Sequence, residues 1–262
     1  MKHTKFIGIV LFLLTSIAVM VSSCKKEEVI TEITGNESFY KVNLDENFIE
    51  LSDSQIYEIG RKHNYYLDLM LKEIKFSTLT DSNFDHAIKV VLHKILIEGL
   101  TVKQQLDIYD SLKNYDYSLP TQKMNFYKQK IKTVITNNVF YKDIKHGIKV
   151  LYKKIDKDDR LDKKEKQSLK IMCSVAIYST YFWLDKEHGG SGQGYYYISQ
   201  NKAVSGKDIA LSDALGGAAG AIKYSWTMFV TGGFALPAYV GAIVGGAVEA
   251  SLTTAVVEAV KK

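Results

Sequence analysis

Cysteine and proline are almost absent from this chain. Its 262 residues include two of each: Cys24 and Cys173, Pro120 and Pro237. Two thiols exclude a disulfide framework and a cysteine-based metal site, so stability must come from packing. Few prolines leave long stretches unbroken, and with the high lysine content they favour helix. The formal net charge is only +5, with charged residues at 24% and hydrophobic ones at 46%. Both fractions are ordinary for a folded protein, and so mild an excess gives no reason to expect nucleic acid as a partner.

The familiar catalytic signatures are missing too. There is no Gly-x-Ser-x-Gly elbow, no His-Glu-x-x-His helix and no convincing pair of carboxylates. The glycine run His188–Gly194 has the look of a phosphate-cradling loop but lacks the Gly-Lys-Ser/Thr ending and a preceding buried strand. Asp156-Lys157-Asp158-Asp159 begins like a calcium loop. Arg160 and Leu161 then occupy positions that need a ligand and a glycine, and Gln167 stands where a bidentate glutamate belongs. His86 and His93 lie seven apart, too far along a helix to share a metal by themselves. No metal or cofactor is expected, and the balance leans away from an enzyme.

What is present begins at the amino end. Lys2 and Lys5 precede an unbroken apolar stretch from Phe6 to Val21, and Ser22-Ser23 then lead into Cys24. A charged start, an apolar region and small residues at the cut describe an export signal. Val21-Ser22-Ser23-Cys24 resembles the lipobox of bacterial lipoproteins, in which the cysteine accepts diacylglycerol. With Lys25-Lys26-Glu27-Glu28 the run is similar to lipoproteins of Bacteroidetes-type bacteria. That resemblance implies cleavage after residue 23, lipidation at Cys24, and an envelope protein held at the outer membrane, with surface exposure as a further implication. Removing residues 1–23 removes two lysines and no acid, so the net charge falls from +5 to +3. Cys173 is then left without a partner.

Residues 24–50 have scattered charges and weak periodicity, as in a tether. A helical domain follows over 51–187. Ser52–Gln55, Thr101–Gln104 and Asp162–Glu165 read as capping boxes. Apolar residues behind them keep a period near 3.6, as in Ile56, Ile59, Leu67, Met70 and Ile74, or Ile144, Ile148, Leu151 and Ile155. About six amphipathic helices joined as antiparallel hairpins are expected. Ile171–Leu184 carries no charge and should be the central helix, with Cys173 an inert buried thiol. Residues 188–207 read as a glycine-rich linker, with Tyr195–Ile198 as a short extended piece.

His63 falls in the gap of the first stripe, between Ile59 and Leu67, so it should face the core beside Asn64. Gly60 at the same place costs about 1 kcal/mol relative to alanine in a helix, which implies that a neighbouring element comes close. A core histidine satisfied by hydrogen bonds is the plain expectation for His63 and Asn64; a ligand or catalytic site is the sharper one.

Residues 208–262 form the second notable feature. No charge occurs between Tyr224 and Val248, and Gly216, Gly217, Gly220, Gly241, Gly245 and Gly246 recur at spacings that let helices approach closely. Thr231-Gly232-Gly233 and Pro237 should break the segment into a hydrophobic hairpin. Its texture is similar to the glycine-zipper tails of bacteriocins and the hydrophobic hairpin of pore-forming colicins, and Leu211–Gly217 resembles a double-glycine leader. That resemblance implies a membrane-associated or membrane-active tail. The competing expectation is a tail buried in its own fold or in an oligomer. If the hairpin lay in lipid, Lys223 and Glu249 would have to sit near the membrane boundaries. The expected whole is mainly α: a lipid-anchored, non-enzymatic envelope protein whose partners are the membrane, through the anchor, and the membrane or copies of itself, through the hairpin.

Overall fold

A computed structural model describes residues 49–75, 79–80, 82–112, 119–199, 205–224 and 235–260. Cys24, the signal segment, most of the tether and the Thr231–Gly233 break lie outside the described residues. The chain is mainly helical. Among the described residues the helices are α1 (Asp53–Glu73), α2 (Phe84–Lys94), α3 (Val102–Leu112), α4 (Gln122–Asn137), α5 (Tyr141–Asp156), α6 (Lys163–Trp183), α7 (Gln193–Ile198), α8 (Gly206–Tyr224) and α9 (Ala235–Val260).

The three capping boxes set helix starts as the sequence implies. Ser52 N–H donates to Gln55 Oε1 at 2.8 Å while Gln55 N–H returns to Ser52 Oγ at 3.3 Å. Thr101 and Gln104 repeat this at 2.8 and 3.3 Å, and Asp162 and Glu165 at 3.0 and 2.8 Å. Each box satisfies backbone donors that the first helical turn leaves orphaned. Behind the caps the apolar stripes turn inward. Ile56, Ile59, Leu67 and Met70 are buried on α1, Met124, Tyr127 and Ile131 on α4, and Ile144, Ile148 and Ile155 on α5. Helices α4 and α5 run antiparallel, since Tyr127 Oη–H donates to Asp158 Oδ2 at 2.8 Å while Val134 packs at Gly147.

Helix α6 is buried almost all round, from Leu169 through Cys173 to Trp183. It touches α1, α4, α5 and α8. Helices α8 and α9 have no polar face either. Every residue from Asp213 to Ala221 and from Gly241 to Leu252 is buried, and the two helices share one hydrophobic core with α1 to α6. The boundary that the sequence draws between a helical domain ending at 187 and a tail beginning at 208 is therefore not a boundary of the core. Leu44–Lys262 is a single compact unit. The end of the tether is fastened to it: Gln167 accepts from Leu51 N–H at 2.7 Å and donates to the Ile49 carbonyl at 2.9 Å.

Two local expectations need correction. Tyr195–Ile198 is not extended; it lies in α7, because Gly192 at φ 74° turns the chain and Gly194 packs flat on Phe182 and Trp183. The glycine run before it is a tight return rather than a loose linker. Gly190 N–H donates to Asp185 O at 2.8 Å, Ser191 N–H to Tyr181 O at 2.7 Å and Gly192 N–H to Leu184 O at 3.0 Å. These bonds take up carbonyls at the end of α6 that no helical partner reaches.

Glycines set how closely the inner helices meet. A Cβ on Gly216 would overlap the Gly246 carbonyl oxygen and stand 2.5 Å from Ala250 Cβ; one on Gly220 would stand 3.0 Å from Ile243 Cα. Gly217 faces Val175 of α6, and Gly241 faces the Glu98 carbonyl. Gly245 differs, because an added Cβ there would meet Ile108 Cδ1 at 3.4 Å, an ordinary contact. Gly216→Ala should therefore destabilise by about 2 kcal/mol, from overpacking against backbone that cannot yield. Gly245→Ala should be neutral or stabilising by up to about 1 kcal/mol, from helix propensity. Urea unfolding of both variants checks the pair, and equal destabilisation would refute the close-packed register of α8 on α9.

Candidate functional site

Four helices bring polar side chains to one buried point. Gly60 lets α1 lie close on α6: a Cβ there would stand 2.5 Å from Tyr178 Cδ2 and 2.8 Å from Ser174 Oγ. One turn on, His63 enters the core with no exposed surface, as do Ser179 of α6, Asp213 of α8 and Ser251 of α9. His63 Nε2 lies 3.1 Å from Ser251 Oγ and 3.5 Å from Asp213 Oδ2. Asp213 Oδ2 also accepts from the Ser179 hydroxyl and, at 3.1 Å, from Trp183 Nε1–H.

The hydrogen bonds fix the histidine tautomer. Asn64 Nδ2–H donates to the Tyr178 carbonyl at 2.7 Å, which leaves Asn64 Oδ1 as acceptor for His63 Nδ1–H at 3.0 Å. The proton of the neutral ring is then on Nδ1, and Nε2 accepts from the Ser251 hydroxyl. Burial pushes the His63 pKa down to about 4, against a smaller opposing effect of Asn64. Burial pushes Asp213 up to about 7, and donors on Ser179 and Trp183 hold it from rising further. Both groups are driven toward their neutral forms, because an enclosed site penalises charge.

Histidine, aspartate and serine together invite comparison with a nucleophilic triad, and the geometry argues against it. In a triad the acid holds one ring nitrogen and the other faces the serine. Here Asp213 and Ser251 both stand at Nε2, and Nδ1 belongs to Asn64. None of the three lines any of the described clefts. What the cluster does is join α1, α6, α8 and α9 in one register.

Glu249 is a second buried acid, on α9. Its Oε2 has no hydrogen-bond partner among the described residues, and burial raises its pKa well above the usual carboxylate range. It lies inside the bundle, not at the edge that a spanning hairpin would need; the Lys223 side chain lies outside the described residues. Cys173 is fully buried with its pKa raised, as an inert thiol should be. His86 and His93 are both exposed on α2. Asp158 pairs with Arg160 at 2.7 Å rather than forming a calcium loop. No cluster of three or more metal-ligating His, Cys, Asp or Glu occurs among the described residues.

The positions of His63 and its neighbour Asn64 were legible in the sequence; the distant partners Asp213 and Ser251 were not. Asp213 and Ser251 lie 150 and more residues further along, in a segment that reads as purely apolar. An aspartate and a serine within that segment were the available signal.

Opposed titrations give the cluster a testable pH signature. Between about pH 4 and 6.5 the unfolded chain protonates His63 and the folded one does not, so this group lowers stability as pH falls. Asp213 keeps a proton in the folded state up to about pH 7, whereas unfolded aspartate releases it near 3.8, so this group raises stability as pH falls. Each slope is at most about 1.4 kcal/mol per pH unit, and in the wild type they offset each other. Relative to wild type, His63→Gln should gain stability as pH drops from 7 toward 4, and Asp213→Asn should lose it from 6.5 toward 4. Denaturant titrations across that window check both signs; parallel profiles for all three proteins would refute the assignment.

Comparison with protein-family models, with curated proteins and with solved structures found no match to this chain.

Proposed function

We propose that this is a lipid-anchored, non-enzymatic protein of the cell envelope, joined by a tether from Cys24 to a helical body in which the glycine-rich tail is the inner layer. The role that suits such a body is structural or partner-binding. The observation that carries the reading is the burial of α8 and α9 together with their polar tie to α1. One described helix, Pro237–Ala255, is long and apolar enough to cross a membrane, but 78% of it is buried inside the fold. Moving it into lipid would strip the covered faces of α1, α3 and α8 and break the Ser251–His63 bond. A membrane-active, bacteriocin-like tail is the reading that this packing favours less. An enzyme working through His63 is favoured less as well, because His63, Asp213 and Ser251 are fully buried and line none of the described clefts.

Three experiments test the proposal. Cys24→Ala should abolish incorporation of labelled fatty acid and leave a protein that high salt releases from the membrane fraction. Removal of residues 207–262 should abolish cooperative unfolding, and the intact chain should leave dye-loaded anionic vesicles sealed. A truncated chain that stays folded, or vesicles that empty, would favour a separate membrane-active tail.

A further inference from the structure

Charge is distributed very unevenly along this chain. Residues 121–170 contain fifteen of its thirty-four lysines and arginines but only six of its twenty-nine acids, a local net of +9 against −4 for the rest. Within that region α4 and α5 carry nine lysines and two aspartates. The mild overall excess conceals this, because acids elsewhere cancel it.

The structure places most of these lysines on the solvent sides of two packed helices. Close packing of Val134 against Gly147 places α4 and α5 side by side, and their buried stripes leave the opposite side to solvent. Lys130, Lys132, Lys142, Lys149, Lys153 and Lys154 are exposed. Among the described residues none of these six stands in an ion pair, whereas Lys62, Lys72, Lys94 and Lys170 on other faces are matched to acids. Residues from both helices meet across the surface: Tyr127 of α4 lines one open cleft with Val150, Lys153 and Lys154 of α5.

Apolar side chains stand among the ammonium groups. Phe126 is 51% exposed and Phe140 47%, and Val139 and Val150 are exposed too. Lys130 Nζ lies 5.3 Å from the centre of the Phe126 ring, and Lys142 Nζ lies 5.8 Å from that of Phe140. Such a surface suits a layer with anionic phosphates outside and apolar chains beneath, where long lysine stems and aromatic rings both find favourable contact. Arginine is nearly missing; Arg160 is the only one in residues 121–170. Nucleic-acid phosphates are often gripped by bidentate arginine forks, whereas a fluid headgroup layer asks only for point charges.

We propose that the outer face of the α4–α5 hairpin docks on an anionic bilayer, with lysine ammonium groups on headgroup phosphates and Phe126, Phe140 and Val150 entering the headgroup layer. The location of such a bilayer rests on the anchored reading of Cys24; the chemistry of the face does not.

The test uses residues 24–262 with Cys24→Ser, which contains the whole compact unit and cannot be acylated. This protein should co-sediment with vesicles of one part phosphatidylglycerol to two parts phosphatidylcholine, not with phosphatidylcholine alone, and rising salt should release it. Each lysine near such a surface contributes about fivefold in partitioning, so Lys149→Glu with Lys153→Glu, which also adds two repelled acids, should weaken binding by more than about thirtyfold. Lys72→Glu with Lys94→Glu changes the net charge equally and, at an ionic strength of about 0.1 M that screens charges beyond about 10 Å, should leave binding within about twofold of wild type. Circular dichroism confirms that both double variants keep their helices. In addition, Phe126→Cys carrying a polarity-sensitive dye should shift its emission on anionic vesicles only; Cys173 is buried and stays unlabelled. Absent or headgroup-independent binding, or equal loss in the two double variants, would overturn the proposal. So would tighter, lysine-dependent binding to duplex DNA or RNA, which would assign the face to nucleic acid. Acyl labelling of Cys24 is read separately, so failure of one result leaves the other intact.

Discussion

A helix without a polar face must be covered on every side, and among the described residues this fold is arranged around three of them, α6, α8 and α9. Helices α8 and α9 bury nearly all of their described side chains, and the amphipathic helices before them supply the cover. The order along the chain is thus the reverse of the order in space: the segment made last lies innermost. Alanine and glycine make this possible, since small side chains let backbones meet and gain close dispersion contacts in place of interlocking bulk. The same property weakens specificity. A smooth, apolar helix pair slipped by one turn presents nearly the same surface to its neighbours.

The buried polar groups answer that weakness. A slip of α8 against α6 would separate Asp213 from Ser179 and Trp183, and a slip of α9 would take Ser251 from His63. Each displacement leaves a buried donor or acceptor unpaired, at a cost of about 1–3 kcal/mol apiece. Apolar packing supplies most of the stability, and the His63 cluster selects the register in which it is realised, as single polar residues do in coiled coils. Neutral forms of His63 and Asp213 suit that role, because a pair of full charges in the same place would carry a large desolvation penalty.

This division explains what could be read from the sequence. Capping boxes and 3.6-residue stripes are local, and Ser52, Thr101, Asp162 and the α1, α4 and α5 stripes fall where their spacing puts them. Gly60 beside His63 correctly signalled a close neighbour, because glycine inside a helix has to be compensated by contact. The tail was less legible. Its composition is compatible with lipid or with a protein interior, and only the amount of amphipathic surface available to cover it decides between them. The Tyr195–Ile198 helix was missed because aromatic side chains favour extended chain locally, whereas the turn at Gly192 and the flat packing of Gly194 depend on Trp183 and Phe182. The lysine face was missed for a different reason: net charge is a sum, and a sum hides segregation.

Segregated charge and a buried tail are connected. Putting the most apolar segments inside leaves the amphipathic helices α1 to α5 to form much of the exterior, and their polar faces then determine what the protein meets. On most of that exterior, lysines stand beside acids, an arrangement neutral toward its surroundings. The α4–α5 hairpin departs from it with exposed lysines, six of them in no ion pair among the described residues, around exposed Phe126 and Phe140, which is costly in self-repulsion and useful only where a compensating anion is near. On this view the contact between body and bilayer belongs to the outside of the α4–α5 hairpin, and the glycine-rich tail, which looks more like a membrane element, is what holds that outside in shape.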